Sequence, residues 1–347
     1  MSSAAKEITC CARNVGHRTI RVEVYMNNRA HDRRISLLCF WSPKLSRERD
    51  KSIKLVSGNM KLLFGISLVT ATAQAASGSF NVLSFNVAGL PAILNNNGVP
   101  GDKTTNTETI GTKFAQYDFD LIHVQEDFHY HSHLYATDNH TYRTDTSGDV
   151  PFGSGLNTLS NLPWNAYIRK TWATCSLGSG DCLTPKGFTF MRLVLQDGVS
   201  TVDVYNLHTD AGTGSGDFKA RRANVQEVAD YIDAMSVGQP VLVFGDTNSR
   251  YARSGDMIQT FVTQNGLSDA WVELVLGGVA PTADSSCGNP AESATCEVLD
   301  KIFYRSGASV SLTATSFSYE AADFLQADGN ILSDHNPVLA SFDWATI

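Results

Sequence analysis

Along this 347-residue chain, polar side chains able to do chemistry stand where apolar runs stop. Asn86 ends the run Phe80–Val87, and Glu126 follows Leu121-Ile122-His123-Val124-Gln125. His208 closes Val202-Asp203-Val204-Tyr205-Asn206-Leu207. Asp246 and Asn248 come directly after Val241-Leu242-Val243-Phe244-Gly245. Asp300 sits in Val298-Leu299-Asp300-Lys301-Ile302-Phe303, and Asp334-His335 precede the last apolar run. The Asn, Glu and Asp oxygens among them suit a hard divalent ion that keeps several waters. Two imidazoles and further acids beside such an ion suit proton transfer to and from oxygen. Each residue alone has a structural explanation: Asn86 in a turn, Asp246-Thr247-Asn248 in an Asx-turn, Asp334 as a cap. Together they need a scaffold that brings strand ends to one edge, where open α/β sheets build their clefts.

The periodicity describes such a scaffold. Phe80–Val87 alternates apolar and polar residues and reads as a strand. Residues 107–117 read as a helix with Ile110, Phe114 and Tyr117 on one face. A buried strand is expected at 120–125, and further strands at 154–160, 165–173, 187–195 and 200–207. Residues 217–235 form the strongest helix, with Asp217 as its cap and Val225, Val228, Tyr231 and Ile232 aligned. A helix near 255–264 and strands at 298–304, 308–318 and 337–342 complete the pattern. Strands outnumber helices, but helices intervene, so the class is α/β or α+β with two packed sheets.

Taken in order, these residues carry a resemblance. Ser84-Phe85-Asn86-Val87, Gln125-Glu126, Asn206-Leu207-His208, Gly245-Asp246-Thr247-Asn248, Leu299-Asp300 and Ser333-Asp334-His335-Asn336-Pro337 resemble the signatures of the endonuclease/exonuclease/phosphatase superfamily. The resemblance covers residues 80–340 and implies the DNase I-like fold, a four-layer sandwich of two mixed sheets flanked by helices. It implies Glu126 as ligand of a divalent metal, Mg²⁺ or another such as Mn²⁺ or Ca²⁺, with Asn86 beside it. Asp334 would complete the metal and histidine network. Asp246 and Asn248 would position the attacked phosphate and the water. His335, oriented by Asp300, would take the proton of that water, and His208 would serve the phosphoryl oxygen and the leaving side. The implied chemistry is in-line attack of water on a phosphodiester, where charge builds on non-bridging oxygens.

For the substrate, Asp181-Cys182-Leu183-Thr184-Pro185-Lys186-Gly187 and Val298-Leu299-Asp300-Lys301-Ile302-Phe303 resemble segments of the secreted neutral sphingomyelinases. The resemblance implies that Asp181 and Lys186 line the lipid-phosphate side of the cleft. The chain departs from that group at Thr247, where a bulky apolar residue is usual, and it lacks adjacent tryptophans in a hairpin that would dip into a bilayer. The loop Leu274–Val279 is a candidate for membrane contact or for core. Competing readings are a DNase I-like endonuclease acting on nucleic acid, a phosphatase for inositol phosphates, and a catalytically dead binding module. The run Asp127-Phe128-His129-Tyr130-His131-Ser132-His133 has no fixed positive charge to meet a duplex. On a strand, His129, His131 and His133 would share a face, as a second metal site or an aromatic rim of the cleft. Lys219, Arg221 and Arg222 are expected to pair with surface acids.

Composition frames these readings. Hydrophobic residues make 42% of the chain and charged ones 18%, which excludes a disordered polyelectrolyte. The net charge of −8 divides into +7 over residues 1–59 and −15 over the rest. At the break, Met60–Ala75 holds one Lys, a short apolar run and Ala73-Gln74-Ala75, the form of a secretory signal peptide. The expectation is therefore a non-native, disordered extension at 1–59, a signal peptide at 60–75 and one secreted, monomeric catalytic domain at 76–347. After the break stand Cys175, Cys182, Cys287 and Cys296. Three pairings are possible, and the short rings 175–182 and 287–296 are preferred. Both they and the sequon at Asn139 fit an oxidising, extracellular setting.

Overall fold

A computed structural model describes residues 75–347 and two short strands before them, β1 (Val22–Tyr25) and β2 (Ser36–Cys39). The chain divides into a unit at 1–70 and a unit at 71–347. In the first, β1 and β2 pair antiparallel. The expected leader and signal segment otherwise lie outside the described residues.

The second unit runs β3 (Ser77–Asn86), α1 (Lys103–Tyr117), β4 (Leu121–Gln125), α2 (His131–Thr137), β5 (Tyr142–Arg143), β6 (Asn157–Ser160), β7 (Trp164–Thr171), β8 (Gly187–Val194) and β9 (Thr201–His208). It continues with α3 (Ser215–Met235), β10 (Val241–Asp246), α4 (Thr260–Thr263), β11 (Ser268–Asp269), α5 (Ala270–Leu274), β12 (Asp300–Arg305), β13 (Val310–Tyr319) and β14 (Val338–Thr346). One six-stranded sheet has the order β13-β14-β3-β4-β6-β5, the other β11-β12-β10-β9-β8-β7. Both are mixed: β3–β4 and β9–β10 are parallel, their neighbours antiparallel. This is the two-sheet α/β sandwich that the sequence implied.

Alternation explains the layers. In β3, Phe80 and Val82 point into the space between the sheets, while Leu83 and Phe85 point outward onto Ile110 and Phe114 of α1. In β10, Leu242 and Phe244 face the inner layer, and Val241 and Val243 face Val225, Val228 and Ile232 of α3. Phe85 meets Phe114 edge to face at 6.4 Å. Truncating such a buried ring to alanine costs about 3–5 kcal/mol.

The helices start where polar side chains meet free N–H groups. Asp102 accepts from the Thr105 N–H at 2.8 Å, so α1 begins at Lys103, earlier than its apolar periodicity suggests. Asp217 is not the cap of α3. It lies in the first turn and accepts from the Gly214 N–H at 2.9 Å. Cys175–Cys182 and Cys287–Cys296 are bonded, the preferred short rings. Asn139 is exposed. Among the described residues no helix is long and apolar enough to cross a membrane.

Candidate active site

Sheet register gathers most of the site. Across the second sheet, Asp246 at the end of β10 pairs with His208 on β9 and with Asp300 on β12. Residues level with each other on adjacent strands share a face, so these side chains stand in file. The facing sheet supplies Asn86 at the end of β3 and Glu126 just past β4. Asp334 and His335 arrive in the connection to β14, whose first residue, Val338, pairs with Ser84.

The hub is Asp246 Oδ2. Asn86 Nδ2 donates to it at 3.2 Å, His208 Nε2 lies 3.2 Å away and His335 Nε2 3.6 Å away. His335 Nδ1 meets Asp300 Oδ2 at 2.7 Å. Asp246, Asp300 and His335 bring ligand-type atoms within 4.8 Å of one another. Asn86 Nδ2 also reaches Glu126 Oε1 at 3.2 Å, which ties the two sheets' contributions together.

The electrostatics of the two imidazoles diverge. Burial opposes the charge on His335, but Asp300 and Asp246 outweigh it and hold its proton affinity well above the ordinary range. Burial, then the neighbouring Lys186 and His335, push His208 well below it. His208 is therefore neutral, and Lys186 Nζ donates to its Nε2 at 2.9 Å. Lys186 is also paired with Asp181. Beside them is a hollow of about 360 Å³ lined by Phe152, Trp172, Asp181, Leu183, Lys186 and Asp210.

Two site residues sit in the left-handed backbone region, Glu126 at φ 54° and Asn248 at φ 45°. Such positions cost on the order of 1–3 kcal/mol and persist where the surroundings over-determine them. Around Glu126 the packing is close: a Cβ on Gly89 would stand 2.3 Å from the Glu126 carbonyl oxygen. Asn248 N–H donates to Asp246 Oδ1 at 2.9 Å, so the Asx-turn and the site are one feature. The Asn248 amide donates to the Thr209 carbonyl at 3.1 Å.

Burial, against the pull of Lys186 and with a further push from Asp334, raises Glu126 above the usual carboxylate range. Asn97 Nδ2 reaches Asp334 Oδ2 at 3.1 Å and Glu126 Oε2 at 3.5 Å. Two neighbouring carboxylates, Glu126 and Asp334, that share the neutral Asn97 amide and have no Lys or Arg hydrogen-bonded to them among the described residues fit an added cation. An all-oxygen set of this kind suits a hard divalent ion.

Sequence reasoning missed Asn97 and Lys103. The buried Lys103 donates to the Leu90 and Asn95 carbonyls and to Asn97 Oδ1, at 2.9, 3.1 and 3.0 Å. A signal existed: a lysine at the first position of a helix opposes the macrodipole, so it needs another employment. Other expectations are corrected. His129, His131 and His133 do not share a strand face, because His131 and His133 open α2. They contact Asp149, Asp127 and Glu108 separately. Arg221 is fully buried, paired with Asp256 at 2.8 Å and donating to the Asp210 carbonyl. Arg222 donates to the Gly255 carbonyl. In the stretch 270–279, Trp271 is core while Leu274 and Val279 are exposed.

Comparison with known proteins agrees with this fold. The chain matches endonuclease/exonuclease/phosphatase family 2 over residues 101–283, just over half its length. Sphingomyelinases of Mycobacterium bovis and Mycobacterium tuberculosis are 40% identical over 277 residues, which cover 77% of this chain and 53% of theirs. The chain thus spans about half the length of the curated relatives it matches. Among solved structures, sphingomyelinase C from Streptomyces griseocarneus aligns with TM-score 0.54 at 18% identity, over 76% of this chain and 99% of that one. A mutant beta toxin from Staphylococcus aureus with bound magnesium ions gives 0.54 at 16%, over 76% and 99%. D. rerio TDP2 complexed with single strand DNA product gives 0.55 at 15%, over 76% and 98%. At these identities the structural likenesses concern the fold.

Proposed function

The chain belongs to the endonuclease/exonuclease/phosphatase family, and from that premise we propose that it is a secreted, divalent-metal-dependent phosphodiesterase acting on a phospholipid of the sphingomyelin type. The observation that carries the chemistry is the convergence of His208, His335 and Asn86 on Asp246 Oδ2. The sphingomyelin class rests on the 40% identity to mycobacterial sphingomyelinases.

Glu126, with Asp334 and Asn86, would hold Mg²⁺ or a related divalent ion, which when bound supplies Lewis-acid polarisation of a phosphate oxygen. His335 is the general base. Its Nδ1 is fixed on Asp300 and its Nε2 lies 3.6 Å from Asp246 Oδ2, beside the position the water would take, so the neutral imidazole can accept the proton there and Asp300 steadies the imidazolium that forms. Asp246 and Asn248 orient the attacking water and the phosphate. His208 and Lys186 meet the phosphoryl oxygens, with Asp181 holding the lysine. Nucleic acid is the weaker substrate reading, because the residues lining the hollow include Asp181, Asp210 and a single lysine, Lys186.

The test offers the purified full chain sphingomyelin, other phospholipids, inositol phosphates and plasmid DNA in parallel, with and without chelator. We expect sphingomyelin turnover that EDTA abolishes and Mg²⁺ restores. Plasmid nicking without lipid turnover would overturn the substrate, and indifference to EDTA would overturn the metal.

A further inference from the structure

The segment that carries His335 has no backbone ladder of its own. Among the described residues, no backbone–backbone hydrogen bond involves residues 333–336. Side chains hold it instead. On the inner side, Ser333 Oγ donates to the Asn86 carbonyl at 2.5 Å. On the outer side stands the ring closed by Cys287–Cys296. Asn289 Nδ2 donates to the Ser333 carbonyl at 2.9 Å. The Ala291 N–H donates to Asn336 Oδ1 at 2.8 Å, and Asn336 Nδ2 donates to the Gly288 carbonyl at 3.0 Å. Asp334 and His335 are thus gripped at both flanking residues, 333 and 336.

The ring is braced at its other end. Trp271 Nε1 donates to the Ala294 carbonyl at 2.7 Å, and Tyr319 Oη to the Cys296 carbonyl at 2.8 Å. The Cys287 N–H donates to the Glu297 carbonyl at 3.0 Å. The chain leaves the ring at Cys296 and four positions later reaches Asp300, the first residue of β12. Asp300 Oδ2 in turn meets His335 Nδ1 at 2.7 Å. The ring, Asp300 and the 333–336 segment therefore close a circuit around the Asp300–His335 contact. None of residues 288–295 is buried, so apolar packing does not set the shape of the ring. The disulfide does, by closing a short loop. The other ring carries Asp181 itself, whereas 287–296 brings no group to the chemistry, so its effect passes through what it holds.

We propose that the Cys287–Cys296 ring is a positioning element for the phosphodiester chemistry, with Asn289 and Asn336 as the positioning residues that set His335 against Asp300. The proposal rests on the reading of His335 as general base and is independent of the lipid.

The experiment compares the full chain with Asn289→Ala, Asn336→Ala and Cys287→Ser/Cys296→Ser on a water-soluble nitrophenyl phosphodiester. Mg²⁺ is saturating, so that weaker metal binding through Asp334 does not enter, and thermal unfolding records that each variant is folded. A displacement of about 1 Å at a reacting group can cost roughly a hundredfold. We expect kcat to fall by about three- to tenfold in each asparagine variant and by about ten- to a hundredfold in the cysteine variant, with KM within about twofold of the parent. The decisive arm places Asn289→Ala in a His335→Ala background. There it should cost less than about twofold, because the group it positions is gone. A merely structural ring would give the same loss in both backgrounds, and that result overturns the proposal. So does a kcat equal to the parent's in Asn289→Ala and Asn336→Ala. If the cysteine variant does not fold, the two asparagine variants decide, since both keep the disulfide. The two readings fail differently. A His335→Ala variant as fast as the parent refutes the base, and a fast Asn289→Ala beside a slow His335→Ala refutes the ring.

Discussion

His208 and His335 and the histidines of residues 129–140 share a motif, a ring nitrogen against a carboxylate, yet they stand in opposite situations. In the segment each imidazole has a private partner: His129 with Asp149, His131 with Asp127, His133 with Glu108, His140 with Asp138. The second nitrogen of His140 ends on the Phe119 carbonyl at 2.6 Å. At the sheet edge, His208 and His335 converge on one oxygen of Asp246, which also receives Asn86. The cause is local geometry. Helix α2 turns successive side chains apart, whereas level register on β9, β10 and β12 keeps His208, Asp246 and Asp300 in file. Pairing orients a histidine; convergence on a shared group makes a site.

The contrast can be broken most severely at His335. His335→Ala should lower kcat by roughly a hundred- to ten-thousand-fold in steady-state assays, with the thermal midpoint almost unmoved. A rate within about threefold of the parent would remove it from the chemistry. Asp300→Asn should cost roughly ten- to a hundredfold. It also takes away charge that raises the proton affinity of His335, so the acid limb of the pH–rate profile should move to lower pH. A limb that stays in place would separate Asp300 from the base.

On the other side of the comparison the effects should appear in stability instead. Burial opposes the charge on His140, but the Asp138 carboxylate and the Phe119 carbonyl outweigh it and raise its proton affinity above the ordinary 6.5. Its stabilisation is therefore full below about pH 6.5 and is lost as pH rises through the raised value. Asp138→Asn should remove about 1–3 kcal/mol and flatten that dependence in urea melts, leaving kcat unchanged. A pH dependence equal to the parent's would contradict the assignment. Smallest of all, His129→Gln and His133→Gln should shift stability by no more than about 0.5 kcal/mol, since both pairs are solvent-exposed. A marked loss of metal affinity in either would restore a histidine-rich metal centre.

Much of this was legible beforehand. The alternation of Phe80–Val87 and the apolar run before Asp246 reflect strands whose faces are buried, so their pattern survives in one dimension. The residues ending those strands were named because strand ends are where a sheet can expose polar groups. The short rings 175–182 and 287–296 were readable because nearby cysteines close at little loop entropy. The start of α1 was not, since Lys103-Thr104-Thr105-Asn106 lacks apolar periodicity and is held by the Asp102 cap. Nor was α2, because His-x-His-x-His fits a strand face as well as a helix of seven residues. Arg221 looked like a surface charge because nothing local announces that the Asp210–Gly212 carbonyls and Asp256 will enclose it.

The sequence by itself determined the residue types of the site, their order along the chain and the periodicity that places each at a strand end. Only the tertiary structure decided which atoms meet. Asn86 and Asp246 lie 160 positions apart and on different sheets, and their contact depends on how the sheets pack. The opposite proton affinities of His208 and His335 depend on whether a lysine or a pair of aspartates stands beside each ring, out of water. Asn97 belongs to the site for the same reason, since its partner Asp334 lies 237 positions away, and Lys103 belongs to it by holding Asn97 Oδ1.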